Sequence, residues 1–279
     1  MVSATWMIAT LLAQQPAVEP GLLPKSWATG GPNCLELPDW QVHEYNADFF
    51  ILRESGCSHY EKPFLYLIFG EKRALLEDTG AGKTEVAKVV TGLMEKWAAR
   101  RKATIPPLLV VHSHSHGDHT AGDAQFAALA NTELIKAGTP LDPVIDLGNR
   151  NIDVIPIPGH DTASLAFYDR KTGILLTGDS LYPGRLYVRD IAAFTASARK
   201  LVEFTEDKPV AHILGTHIEQ SRTPFTDYKV GTRYQPDEHS LELSRGDLLE
   251  LDQALTTLKG KPVRVILRNF TIVPRFQLP

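Results

Sequence analysis

The chain has 279 residues, of which 43% are hydrophobic and 22% are charged, and its formal net charge is −4. That composition suits one large globular domain or two small ones, with ample residues for a packed core. The densest basic run is Arg100, Arg101 and Lys102. A nucleic-acid-binding protein needs a basic face, so we expect no nucleic-acid partner.

The N-terminus is apolar from Val2 to Leu12. A run of this length is too short to span a bilayer, and we expect no integral membrane segment elsewhere. It is similar to the core of a signal peptide with Ala13 at the cleavage point, although no Lys or Arg precedes it and Leu11 is too large for its position. A lightly docked terminus is the alternative. The sequence does not decide between a signal peptide and a docked terminus. It slightly favours a periplasmic or secreted location over a cytoplasmic one.

Cys34 and Cys57 are the only cysteines. They would form a disulfide in an oxidising compartment, or remain two buried thiols. Neither has C-x-x-C spacing or lies near the histidines described below, so neither is expected to bind metal.

Predicted elements begin after an irregular, Pro- and Gly-rich segment, and we interpret residues 1–40 as an N-terminal arm and residues 41–279 as one domain. Short apolar runs between turn formers predict strands. The first three are Phe49–Arg53, Phe64–Phe69 and Ala74–Glu77. The apolar period then changes to that of an amphipathic helix over Thr84–Arg101, with Thr84 as its N-cap.

Strands and helices continue to alternate through the rest of the chain. Predicted strands are Leu108–Val111, Glu133–Lys136, Ile152–Ile157, Gly173–Thr177, Ala211–Leu214 and Val263–Val273. Predicted helices are Gly122–Ala130, Phe194–Phe204 and Asp247–Leu258. Strand clusters interleaved with helices predict an α/β sandwich with helices outside the sheets.

A glycine-rich turn, residues 79–84 (TGAGKT), follows a strand and opens a helix as a phosphate-binding loop would. Such a loop needs Gly five residues before Gly82, where this chain has Glu77, whose carboxylate would repel phosphate. We therefore interpret Gly80 and Gly82 as a tight strand-to-helix turn. Asp78, at the strand end, is available to support a nearby site.

Four histidines and an aspartate lie within residues 112–119 of the stretch VVHSHSHGDHTAGD. Residues i and i+2 of an extended chain point to the same side, so His114 and His116 can bind one ion together. Gly117 lets the chain turn, so that Asp118 and His119 can reach a second position. Imidazole and carboxylate are the usual ligands of Zn²⁺. His112 lies one step too early and is predicted to support the site without binding metal.

Further metal-ligand residues follow three later apolar strands: His160 in IDVIPIPGHD, Asp179 in GILLTGDS and His217 in AHILGTH. Loops at one edge of a sheet can converge on a shared cleft. Together these residues and the H-x-H-x-D-H stretch supply five histidines and two aspartates, enough for two metal ions. One histidine at a strand end is usually structural, but the joint pattern is typical of a metal site.

In this order, the motifs VHSHSHGDHTAG, PGHDTAS, TGDSLY and GTH resemble those of the metallo-β-lactamase-fold hydrolase superfamily, over about Phe49 to His217. The resemblance implies a four-layer αβ/βα sandwich with a two-metal site at one edge. It places His114, His116 and His160 on the first metal and Asp118, His119 and His217 on the second. Asp179 would bridge both.

The resemblance implies a dinuclear zinc hydrolase, although the same ligands would accept iron or manganese. A hydroxide shared by two zinc ions would attack an ester, thioester or lactone of a small-molecule substrate, and Asp118 would orient it and carry a proton. An uninterrupted ligand set without Cys is more similar to the glyoxalase II and lactonase branches than to zinc β-lactamases. Amide hydrolysis of the β-lactamase kind and a mononuclear iron persulfide dioxygenase are the alternatives.

Substrate contacts are harder to find in the sequence. Tyr182, Arg185 and Tyr187 follow Asp179 closely and are candidates for the cleft wall, although each would serve equally well as a packing residue. The sequence leaves the substrate, the oligomeric state and the native metal open.

Overall fold

A computed structural model describes residues 17–33 and 36–274. The leader-like segment and Cys34 lie outside the described residues, so the signal and disulfide hypotheses remain predictions. The strands are β1 Trp40–Asn46, β2 Phe49–Glu54, β3 Phe64–Phe69, β4 Ala74–Glu77, β5 Leu108–Val111, β6 Thr132–Leu134, β7 Val144–Asp146, β8 Asn151–Pro156, β9 Leu165–Asp169, β10 Ile174–Leu176, β11 Arg185–Val188, β12 His212–Leu214, β13 Glu242–Leu243, β14 Val265–Ile266 and β15 Thr271–Pro274. The helices are α1 Val86–Arg101, α2 Gly117–Thr120, α3 Asp123–Ala127, α4 Ile191–Phe204 and α5 Arg245–Leu258, with a 3-10 turn at Gly178–Ser180.

Two six-stranded sheets form the centre of the molecule. The first has the order β1-β2-β3-β4-β5-β6, and the second has the order β13-β12-β10-β9-β8-β7. Both mix antiparallel neighbours with parallel ones, such as β4 with β5 and β10 with β12. Parallel neighbours need a crossover connection, which α1 supplies between β4 and β5.

The core between the sheets follows from side-chain alternation along each strand. In β3, Phe64, Tyr66 and Ile68 point to the interior shared by both sheets, and Leu65 and Leu67 point to the opposite face. Because both faces of β3 are covered, every one of its residues is buried.

Helices cover the outer faces of both sheets. On the first sheet, α1 buries the apolar stripe that includes Val90, Met94 and Trp97. On the second sheet, α4 and α5 pack against the outer face together with a small sheet of order β11-β15-β14. The layers therefore run helix, sheet, sheet, helix, and the predicted αβ/βα sandwich is confirmed.

Three sequence predictions were wrong in detail. Thr84 does not cap α1, which begins at Val86 after Glu85; its hydroxyl instead accepts a hydrogen bond of 2.8 Å from the Trp40 indole. The single strand expected over Val263–Val273 is a hairpin, since a turn over residues 267–270 separates β14 from β15. The short helix expected over Gly122–Ala130 is present as α3, but it is shorter than predicted and ends at Ala127.

The described part of the N-terminal arm is irregular, and it packs against the domain. The indole of Trp27 is buried in the interior between the sheets, with its ring centroid 5.0 Å from that of Phe64. The backbone N–H of Leu22 donates to the carbonyl of Tyr45 at 2.9 Å. No helix in residues 17–33 and 36–274 is long and apolar enough to cross a membrane.

Helix α5 carries a reciprocal cap, in which the Ser244 hydroxyl and the Asp247 carboxylate each bind the other residue's backbone N–H. We expect Ser244→Ala to lower the free energy of unfolding by about 1 kcal/mol, because one end of the helix loses its side-chain acceptor. Urea denaturation would measure this. Thr257→Ala, an exposed change on the same helix, should cost less than about 0.5 kcal/mol; equal losses in the two variants would contradict the capping role.

Candidate metal centre

Loops at one edge of both sheets carry the predicted ligand residues. The first sheet contributes the segment after β5, which turns through Ser113 into α2 and carries residues 114–119. The second sheet contributes His160 after β8, Asp179 in the 3-10 turn after β10, and His217 after β12. The structure brings all seven predicted residues together in two groups of potential ligand atoms.

The first donor group consists of His114, His116, His160 and Asp179. Nδ1 of His116 lies 3.0 Å from Nε2 of His114 and 3.1 Å from Nε2 of His160. Oδ2 of Asp179 lies 3.6 Å from Nε2 of His114 and 3.4 Å from Nε2 of His160. Four ligand atoms therefore surround one point.

The second donor group consists of Asp118, His119 and His217. Oδ2 of Asp118 lies 3.1 Å from Nε2 of His119 and 3.3 Å from Nε2 of His217. The other carboxylate oxygen of Asp179, Oδ1, lies 3.6 Å and 3.1 Å from the same two nitrogens. Asp179 therefore presents one oxygen to each donor group.

The spacing of the donor atoms fits metal binding. Ligands held about 2.0–2.1 Å from a tetrahedral Zn²⁺ lie roughly 3.3 Å from one another, close to the separations found in both groups. Nε2 of His119 is also buried without a hydrogen-bond partner among the described residues, although it faces Asp118 and Asp179. A buried lone pair is costly unless something binds it, and a cation would do so.

Hydrogen bonds to the far side of the imidazoles fix which nitrogen faces the donor groups. Nδ1 of His160 donates to the carbonyl of Tyr187 at 2.8 Å, and Nδ1 of His217 donates to the carbonyl of Glu61 at 3.0 Å. Carbonyls only accept, so each Nδ1 carries the proton and each Nε2 is left with its lone pair directed inward.

Asp78 supports the site from below, as the sequence predicted. Its Oδ2 accepts from Nδ1 of His119 at 2.8 Å and from the Ser113 hydroxyl at 2.7 Å. Gly80 and Gly82 form the predicted turn beside it, with φ angles of +77° and +81°. A Cβ on Gly82 would lie 2.7 Å from the carbonyl of Ala121, so the turn can pack closely against the end of α2 only without a side chain there.

The electrostatics of the site favour the metal-binding forms of Asp179, His114 and His160, whereas the carboxylates of Asp118 and Asp179 raise the pKa of His119 and of His217. Burial alone would raise the pKa of Asp179, but the charges of His217, His119 and His114 hold it well below its usual range. Burial lowers the pKa of His114 and of His160. Ionised carboxylates and neutral imidazoles are the ligand forms of these side chains.

A cavity of about 370 Å³ opens onto both donor groups. Its wall includes His116, Asp118, His160, Asp179 and His217. The remaining lining residues are Glu61, Gly117, Tyr182, Tyr187, Arg189 and Glu219. A small molecule in this cavity would therefore meet ligand residues of both groups at once.

Of the three candidate substrate contacts, Tyr182 and Tyr187 line this cavity and Arg185 does not. The guanidinium of Arg185 is instead bound to Glu219, with Nη2 and Oε1 2.6 Å apart. Sequence reasoning missed Glu61, Arg189 and Glu219. Arg189 had a readable signal, the alternation R-x-Y-x-R after Asp179, whereas Glu61 lies far from every motif.

His112 is buried beneath the site, with Nε2 3.3 Å from Asp123 and Nδ1 3.7 Å from Asp78. We expect His112→Ala to keep its full metal content, because neither ring nitrogen faces a donor group. His116→Ala should lose at least one ion per chain. Inductively coupled plasma mass spectrometry of both variants, each checked for folding by circular dichroism, would test this, and metal loss in the His112 variant alone would refute it.

Comparison with known proteins supports this picture, although no family model matches the chain. The chain is 26% identical over 229 residues to the acyl-coenzyme A thioesterase MBLAC2 of Bos taurus, covering 64% of this chain and 82% of that protein. It is 31% identical over 143 residues to a hydroxyacylglutathione hydrolase of Cereibacter sphaeroides, covering 46% of this chain and 55% of that protein. The match thus spans just over half of the latter enzyme.

Solved structures share the architecture at low sequence identity. A metallo-beta-lactamase from Pontibacter korlensis superimposes with a TM-score of 0.55 at 16% identity, covering 78% of this chain and 99% of that one. The metallo-beta-lactamase FIM-1 from Pseudomonas aeruginosa, in its mono-zinc form, gives 0.53 at 12% identity, covering 79% and 97%. This chain is a metallo-β-lactamase-fold protein, and its curated relatives are hydrolases.

Proposed function

We propose that this metal-dependent hydrolase binds two zinc ions and cleaves thioesters. His114, His116 and His160 would hold one ion, Asp118, His119 and His217 the other, and Asp179 both. The observation that carries the proposal is the placement of Asp179, whose two carboxylate oxygens face separate donor groups beneath one cavity.

When bound, two such ions supply Lewis acidity and lower the pKa of water towards about 7. The described residues that line the cavity include no Ser, Thr or Cys, and the hydroxyls of the two lining tyrosines are already hydrogen-bonded to Arg185 or Glu219. Water is therefore the expected attacking group. Asp118 also lines the cavity, and Oδ2 is the oxygen that faces His119 and His217. Its other oxygen is left to orient water and accept a proton.

Two features favour a thioester over the other substrates. The two kinds of relative reported above are named for acyl derivatives of coenzyme A and of glutathione. Coenzyme A and glutathione are thiols, so their acyl derivatives on sulfur are thioesters. A thiol leaving group has a pKa near 8.5, so it departs as thiolate without a strong proton donor. Consistent with this, the described residues that line the cavity include no Lys, and their single Arg, Arg189, lies in the wall with His116 and His160 of the first donor group.

The test is a substrate panel with zinc-loaded protein: an acyl-coenzyme A, an acylglutathione, a lactone, a phenyl ester and a β-lactam. We expect thiol release from the first two to exceed turnover of the others by at least about tenfold, and two zinc ions per chain by mass spectrometry. Faster turnover of the β-lactam would contradict the proposal. So would one iron per chain with oxygen uptake on a persulfide, the dioxygenase alternative.

A further inference from the structure

Side chains along β11 and its continuation alternate between the core and the cavity side. Leu186 and Val188 are buried in the apolar cluster beneath α4 and α5. Arg185, Tyr187 and Arg189 occupy the intervening positions, and the last two line the cavity. One strand edge therefore carries two arginines separated by a tyrosine.

The two arginines differ in what they bind. Arg185 is buried, and its guanidinium binds Oε1 of Glu219 at 2.6 Å and the Tyr187 hydroxyl at 3.0 Å. Arg189 is exposed, and its guanidinium has no hydrogen bond or ion pair with any residue in 17–33 and 36–274. Arg185 is thus neutralised within the protein, whereas Arg189 has its donors free.

The backbone beneath Arg189 is nonetheless fixed. The N–H groups of Arg189 and Asp190 donate to the carbonyl of Gly159 at 2.9 Å and 3.0 Å. Next to it, Nδ1 of His160 donates to the carbonyl of Tyr187 at 2.8 Å. The strand end is therefore tied to the loop that carries a residue of the first donor group, so the backbone from which the free guanidinium extends is held beside that group.

The charged residues of the cavity wall are unevenly distributed. Glu61 lies on the side of His217, whose ring binds its carbonyl. Glu219 lies on that side as well, since its carboxylate accepts from Tyr182, whose ring contacts His217 with centroids 5.4 Å apart. Arg189 is the only Lys or Arg among the described lining residues. Its positive charge contributes to the lowered pKa of His116 and of His160.

We propose that Arg189 is a specificity residue that binds an anionic group of the substrate, a carboxylate or a phosphate, on the side of His116 and His160. The proposal rests on the proposed function for the nature of the substrate. A guanidinium without an internal partner can form a bidentate pair with either oxyanion, and it loses no existing ion pair in doing so. On the opposite side Glu219 is paired with Arg185, but no arginine or lysine among the described residues is paired with Glu61, whose carboxylate would repel the same anion. The cavity would therefore favour one direction of binding for an anionic substrate.

Four thioesters distinguish where the anion lies. Butyryl- and succinyl-coenzyme A differ by a carboxylate on the acyl group, and the matching pantetheine thioesters lack the phosphates of coenzyme A. We expect Arg189→Gln to raise KM about tenfold for the substrates that carry the recognised anion, with kcat changed less than about twofold. Arg189→Lys should recover part of the loss, because it restores the charge without the planar fork.

Arg268→Gln, an exposed arginine outside the cavity wall, is the matched control and should leave all four KM values unchanged. A higher KM for both succinyl substrates would place the anion on the acyl group, and a higher KM for both coenzyme A substrates would place it on the phosphates. Either result supports the proposal. An equal change for all four, including neutral butyryl-pantetheine, or no change at all, would overturn it.

A binding measurement keeps this test separate from that of hydrolysis. The thioethers S-(3-carboxypropyl)-coenzyme A and S-butyl-coenzyme A cannot be hydrolysed, and their Kd values follow from calorimetry on zinc-loaded protein. If the wild type cleaves no thioester but binds a thioether about tenfold more tightly than Arg189→Gln does, the proposed reaction fails and the anion site stands. Equal Kd values for wild type and variant would refute the anion site.

Discussion

Asp179→Ala should reduce kcat/KM for the best thioester by at least about a thousandfold, equivalent to roughly 4 kcal/mol. The carboxylate contributes one oxygen to each donor group, so its removal takes a ligand from both positions at once. No other described residue presents ligand atoms to both groups. Metal content should fall below two ions per chain in the same preparation.

Asp179→Asn and Asp142→Ala make this test sharper. The amide keeps one oxygen ligand, so we expect Asp179→Asn to retain one metal more firmly than the other and to be intermediate in activity. Asp142 is exposed and belongs to neither donor group, so its removal should change neither property. Steady-state kinetics with parallel mass spectrometry would measure both. Wild-type activity in Asp179→Ala would contradict the assignment of the metal centre.

Asp169→Ala should destabilise the fold by about 3–5 kcal/mol, the largest effect we expect outside the metal centre. Asp169 and Arg150 form a fully buried ion pair, with Nη2 and Oδ2 2.5 Å apart. The same guanidinium also donates to the carbonyls of Asp48 and Phe69, at 3.0 Å and 3.1 Å. Removing the carboxylate leaves a buried cation without its counter-charge.

Urea denaturation of the metal-free proteins would measure this loss without any contribution from metal binding. Asp146→Ala removes the acid of an exposed pair with Lys72 and should cost less than about 1 kcal/mol. If the two substitutions cost the same, the buried pair would not be the stabilising feature that its geometry indicates. A fall in the denaturant slope would instead indicate a change in the unfolded state.

The parts of the site that sequence predicted well are those set by local geometry. The spacing within residues 114–119 is by itself enough to bring four of the residues together: His114, His116, Asp118 and His119. His160, Asp179 and His217 were found because each follows an apolar strand, and strand ends on one sheet edge converge. The alternation of strand and helix patterns predicted a sandwich with helices outside the sheets, and the four-layer order was implied by the family resemblance.

What the sequence could not show depends on contacts between distant segments. Arg185 and Arg189 are equivalent in the sequence, and only the ion pair of Arg185 with Glu219, 34 residues away, separates their roles. Thr84 resembled a helix cap because its competing partner, the Trp40 indole, is 44 residues distant. Strand β1 was missed because only Trp40, Val42 and Tyr45 are apolar among its seven residues, WQVHEYN, and one face is partly exposed.

The candidate ligand residues are divided between the two halves of the sandwich. Residues 114–119 extend from the first sheet, and His160, Asp179 and His217 extend from the second. An ion held by both sets would link the two sheets. The free energy of metal binding would then be coupled to the packing of one sheet against the other. By reciprocity, a substitution that loosens the interior anywhere along that interface should weaken metal affinity, even at a distance from the cavity. Metal affinity would therefore report on the packing of the whole domain.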